Sequence, residues 1–168
     1  MSLMFKDKDK QMKANNVKKV LIALDYDPTA KKVAEKGYEM AIAMDAQITL
    51  LHVMVTPEMY ASAYSNMGVW QIDTVDIPEG LEILKTRSRN FLEKAKAHLG
   101  NKSIQIIQKE GDTAQIILET AKEMKADCIV IGSLSQKWLE DILMGSVTKE
   151  VLRKTTIPLY IVPTKKQN

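Results

Sequence analysis

Cysteine occurs once in the 168 residues, as Cys128 inside the apolar run DCIVIG. A single thiol excludes an internal disulfide framework and leaves no cysteine cluster for a metal. Among Ile and Val it reads as a small buried hydrophobe, and the chain suits a reducing cytoplasm. Aromatic residues are scarce, at 5%, so the core is expected to be aliphatic. No apolar run approaches the roughly 20 residues that span a bilayer, and the N-terminus MSLMFKDKDKQMKANN has no apolar stretch long enough for a secretory signal. Neither sign of charge dominates. Lys and Arg number 24 against 21 Asp and Glu, a net charge of +3, and no basic stripe marks a nucleic-acid surface. Internal repeats, GxxxxGK[ST] loops and a GxGxxG after the first strand are missing too. No Ser-His-Asp, Cys-His or metal-ligand spacing is visible.

What is present is apolar patterning. Residues of the apolar class make up 45% of the chain, enough for the core of one domain. Five short, nearly continuous apolar runs read as strands: 17–24, 47–55, 102–109, 127–132 and 157–163. Between them lie stretches with helical spacing. After the first strand, DYDPT offers Asp27 as a cap and Pro28 for the first helical position. The helix that follows carries Val33, Ala34, Gly37, Tyr38, Ala41 and Ile42 on its apolar side. A second helix over 81–99 aligns Leu84, Phe91, Leu92, Ala95 and Leu99. A third opens at EGDTAQIILETAKEM, where Asp112 and Gln115 resemble a capping box. A last one runs from about Ser146 to Arg153, with Ser146 as its expected N-cap. Strands alternating with helices, and apolar on both faces, predict a doubly wound α/β domain with a parallel sheet. The expected boundaries are a flexible polar arm over 1–16, the domain over 17–163 and a flexible tail over 164–168.

In such sheets ligands bind beyond the carboxyl ends of the strands. Asp25 ends the first strand, Val53 lies near the end of the second, and Gly132 ends the fourth. The stretch VIGSLSQKWLEDILMGSV, residues 130–147, sets two Gly-Ser pairs around one loop. Gly132 and Gly145 permit close backbone approach. The amides of the first turn around Ser146, Val147 and Thr148, with the helix dipole, make a candidate anion site, to which the hydroxyls of Ser133, Ser135, Ser146 and Thr148 add donors. A helix cap with no ligand is the other reading of the same residues. His52 reads as a packed core histidine, His98 as an exposed one. Residues 56–80 form a long connection rich in Met, Tyr and Trp, read either as a cover over the ligand end or partner surface, or as a loop folded on its own domain.

The loop carries the spacing Gly132, two residues, Ser135, nine residues, Gly145, Ser146. This resembles Gly-x2-Gly-x9-Gly-[Ser/Thr], the nucleotide loop of the universal stress protein family. VLIALD, ITLLHV and GSVTKEVLRKTTIPLYIVP stand in the matching order, so the resemblance covers essentially residues 17–163. It implies a five-stranded sheet in the order 3-2-1-4-5, a homodimer paired through the C-terminal edge strand, and, in one branch of the family, bound ATP, with Mg2+ as a companion. By the same resemblance Asp25 matches the acid beside the ribose and the Val53 backbone matches the group that meets adenine. Gly132, Ser133, Gly145, Ser146, Val147 and Thr148 match phosphate-binding positions. Ser135 stands where the pattern has its middle glycine. If that position needs positive φ, serine costs on the order of 1 kcal/mol; its hydroxyl can also bond phosphate. The expected function is therefore stress-linked binding of ATP or a related adenine nucleotide, with at most slow hydrolysis. The alternative is a member with a degenerate loop that acts through protein contacts.

Overall fold

The five apolar runs become strands, and among the described residues four helices lie between them. The computed structural model describes residues 17–55, 77–133 and 144–164. The elements are β1 (Lys19–Ala23), α1 (Ala30–Ala43), β2 (Gln47–Met54), α2 (Ile77–Leu99), β3 (Gln105–Glu110), α3 (Thr113–Glu123), β4 (Cys128–Gly132), α4 (Ser146–Lys154) and β5 (Leu159–Val162). The sheet order is β3-β2-β1-β4-β5 and every pairing is parallel. The strand order reverses between β1 and β4, which are neighbours with Val20 opposite Cys128 and Ile22 opposite Val130.

Alternation along β1 divides the core into two layers. Val20 and Ile22 pack with Val33, Ala34 and Ala41 of α1 and Leu92 of α2. Leu21 turns the other way, onto Ala114, Ile117 and Ala121 of α3 and Val151 of α4. Successive side chains of a strand point to opposite faces, so one apolar strand feeds both layers. Cys128 is buried, and burial pushes its thiol up from the ordinary range, which makes it inert. At Gly37, α1 comes close to the sheet. A Cβ there would stand 2.8 Å from Ile22 Cδ1 and 3.0 Å from Val130 Cγ1.

Several sequence expectations shift in detail. α1 begins at Ala30, not at Pro28, and its N-cap Thr29 makes no side-chain cap bond. Asp27 instead accepts from the Thr29 amide at 2.8 Å and the Thr29 hydroxyl at 2.6 Å, closing the turn before the helix. Ile42 is 49% exposed rather than inward. α2 starts at Ile77, ahead of the expected 81. Pro78 and Gly80 fall in its first turn, where a missing amide costs nothing. β3 starts at Gln105, later than 102. Asp112 caps α3 by accepting from the Gln115 amide at 2.9 Å, but the Gln115 side chain donates to Glu119, so the box is half made. Thr164, expected in the tail, is buried, and its amide donates to Ser133 Oγ at 3.0 Å. The arm over 1–16, residues 56–76 of the long connection, and the loop over 134–143 with Ser135 lie outside the described residues.

Candidate functional site

Beyond the carboxyl ends of β1, β2 and β4 the chain leaves an open cleft. Asp25, Val53, Gly132, Gly145, Val147 and Thr148 all line it. Ser133 and Ser146, also expected at the site, are not among the lining residues.

The α4 wall explains itself from the backbone. The N-cap is Gly145 rather than Ser146, at φ −64° and ψ 158°. Its conformation is open to any residue, so no backbone strain calls for the glycine. The first helical bond runs from the Lys149 amide to the Gly145 carbonyl at 2.9 Å. The amides of Ser146, Val147 and Thr148 precede it and have no helical carbonyl to bond. Two contacts fix this turn onto β4. The Gly145 amide donates to the Ser133 carbonyl at 2.8 Å. The Thr148 hydroxyl donates to the Gly132 carbonyl at 2.8 Å. Ser133 Oγ is likewise engaged, by the Thr164 amide. The Thr148 side chain therefore holds the loop's two ends together and the Ser133 side chain ties the end of β4 to the segment after β5, hydroxyls that the spacing alone had assigned to a ligand. A Cβ at Gly132 would approach Val33 Cγ2 and Thr164 Cγ2 at 3.1 Å each, so the glycine keeps this corner open.

The β1 end supplies the acid. The Asp27 amide donates to Asp25 Oδ1 at 3.1 Å, which orients the carboxylate at the cleft mouth. Desolvation between the walls raises the Asp25 carboxyl above its ordinary range; the Asp27 amide opposes the rise and the Asp27 carboxylate adds to it.

The β2 end follows from strand pairing. The Leu24 amide donates to the Leu51 carbonyl at 2.8 Å, and the matched register of β1 and β2 stops at Ala23 with Leu51. The carbonyl of Met54 faces the other way, accepting from Gly111. Peptides of odd-numbered β2 residues thus face β1, and Val53 is the first such residue past its end. Its peptide edge opens onto the cleft between apolar walls of Leu51, Ile117 and Val147.

Sequence reasoning missed Thr29, Ala30 and Val33 from the start of α1, and Thr113 and Ile117 from α3. The signal was present: each helix that follows a strand's carboxyl end starts at this rim, and Gly111-Asp112 marks one such start. His52 behaves as expected of a core residue. It is 4% exposed, and burial lowers its pKa to about 4. His98 is exposed and lies 2.7 Å from Glu35.

Comparison with known proteins agrees with this fold. The universal stress protein family profile matches residues 16–163. Universal stress protein YxiE of Bacillus subtilis is 30% identical over 146 residues, covering 86% of this chain and 97% of that one. Among solved structures, UspA of Lactobacillus plantarum superposes with a TM-score of 0.70 at 16% identity, over 88% of this chain and 98% of that one. A universal stress protein in complex with cAMP superposes with a TM-score of 0.60 at 21% identity, over 89% and 99%. The likeness in structure establishes the fold, and the sequence match establishes descent: the chain belongs to the universal stress protein family.

Proposed function

We propose that the cleft binds an adenine nucleotide, ATP or a close relative. The phosphates lie against the amides of α4's first turn that precede its first helical bond, beside Gly132 and Gly145. The ribose hydroxyls meet Asp25. The base enters the apolar slot and pairs with the free peptide edge of Val53. The observation that carries this reading is the convergence, in one cleft, of a helix N-terminus, a carboxylate and a strand end that runs past its β1 neighbour, with apolar walls. The cAMP complex of a protein with the same fold supports it. Among the described residues no group of three His, Cys, Asp or Glu is placed to hold a metal, so Mg2+ would arrive with the phosphates. The role is binding, with at most slow hydrolysis.

Dimerisation belongs to the same reading. β5 ends the sheet, and Tyr160 on it is exposed. A strand edge of this kind is completed by pairing with a second copy, and light scattering should return twice the chain mass.

Calorimetric titration with ATP, with and without magnesium, tests the site. A micromolar dissociation constant is expected for nucleotide-free protein. Gly145→Val should remove it with little loss of stability, because the backbone there is already extended. Unchanged affinity in that variant would refute the site. Absence of binding to the parent protein would favour a member acting through protein contacts, and Ser135→Gly then asks whether the loop's serine is the reason.

A further inference from the structure

The turn that carries Asp25 is anchored on its far side by an aromatic cluster outside the cleft. Tyr26 follows Asp25 directly and its ring crosses to the α2 layer. The ring centroid lies 4.3 Å from that of His52 and 5.0 Å from that of Phe91 on α2. His52 and Phe91 are themselves 5.4 Å apart, edge to face. Such spacings and tilts are those of favourable ring pairs. His52 Nδ1 is 2.8 Å from Ser88 Oγ on α2, and Ser88 is fully buried. Burial raises the Tyr26 hydroxyl above its ordinary range, and the charge of Arg87 on α2 opposes the rise. Yet Tyr26 is 53% exposed. An aromatic ring left half in water contributes less to the core than a buried one, so its placement has to be explained by what it holds. What it holds is a two-residue turn whose preceding side chain enters the cleft and whose own side chain grips a helix.

Resting on the nucleotide reading above, we propose that Tyr26 is a positioning residue: its ring ties the Asp25 turn to α2 through His52 and Phe91, so that occupancy of the cleft and packing of α2 are coupled. The coupling is reciprocal by thermodynamic necessity. A ligand that fixes Asp25 tightens the ring cluster, and a disturbance of α2 loosens the acid that holds the ribose.

A double-mutant cycle on the full chain tests it. Tyr26→Ala should weaken ATP binding about 10-fold, within the usual range of coupling factors, and have less than about a twofold effect once Asp25→Asn has removed the acid. Tyr26→Phe keeps the ring and should bind as the parent does. Tripolyphosphate, which lacks the ribose, should bind Tyr26→Ala and the parent alike. Equal losses in both Asp25 backgrounds would overturn the proposal. A second readout needs no ligand. In imidazole NMR spectra, Asp25→Asn should shift the His52 resonances in the parent and leave them in place in Tyr26→Ala. Unmoved His52 resonances overturn the link whatever the titrations give. If they move while ATP fails to bind, the link stands and the nucleotide reading falls.

Discussion

The two ends of the sheet solve opposite problems. At the amino end, α1 and α3 run into β2 and β4 through the same short turn. The Ala46 amide bonds the Ala41 carbonyl and the Asp45 amide that of Ile42; the Ala126 amide bonds the Ala121 carbonyl and the Lys125 amide that of Lys122. Both are Schellman closures, and both place a non-glycine residue in the left-handed region, Asp45 at φ 52° and Lys125 at φ 54°. Asp127 then accepts the amides of Lys18 at 2.8 Å and Lys19 at 2.9 Å. Helix-terminal carbonyls and strand-entry amides are paired here, and the end is closed. At the carboxyl end, among the described residues, no backbone bond is made by the amides of α4's first turn to a helical carbonyl, and the β1 register stops before Val53, beside Asp25. A fold of this class keeps its stability at one end and leaves unspent hydrogen bonds at the other, where a ligand can use them.

Acid should act on the carboxyl half first. His52 is neutral in the fold because burial lowers its pKa to about 4. The unfolded chain takes up that proton near the ordinary value of about 6.5. Stability from this group is therefore complete above about 6.5 and lost as pH falls from there towards 4, at a cost of about 3 kcal/mol by linkage. Asp25, whose carboxyl is raised, has the opposite sign and gains from protonation in acid, which offsets part of the loss. Urea midpoints across this range, in the parent and in His52→Gln, should differ in slope; parallel curves would show that His52 is not the titrating group.

A smaller effect is expected from the closed end. Asp127→Ala removes the acceptor for two amides and should cost about 2 kcal/mol without altering ATP affinity. A change in affinity would mean that the two ends are not independent. The smallest effect is a gain. Lys125→Gly relieves a left-handed residue and should raise stability by about 1 kcal/mol, read as a shift in thermal midpoint. No gain would mean that the unfolded chain's extra freedom cancels the relief.

Much of this was legible in residues alone. The apolar runs, their separation by helical spacing and the two Gly-Ser pairs located the sheet, its helices and the mouth of the cleft. Element ends were less legible, because they depend on which partner an end meets. Asp27 looked like a helix cap and instead closes a preceding turn. Ser146 looked like an N-cap until Gly145 took the place. Ile42 fits the helical stripe but falls beyond the edge of what α1 covers.

The sequence by itself determined composition-level and periodic properties: an aliphatic core, a parallel α/β order and glycines where backbone must approach something. These follow from local spacing, since side-chain direction repeats every two residues in a strand and every 3.6 in a helix. Tertiary structure alone decided which hydroxyls are free and which are spent. The Thr148 hydroxyl bonds the Gly132 carbonyl across the loop, and the Ser133 hydroxyl accepts from the Thr164 amide beyond β5. Tyr26 reaches His52, 26 positions away in the chain, and Val53, paired with β3 at Lys109, lies past the end of the β1 register. Each of these depends on where a distant segment ends, and no local pattern records that.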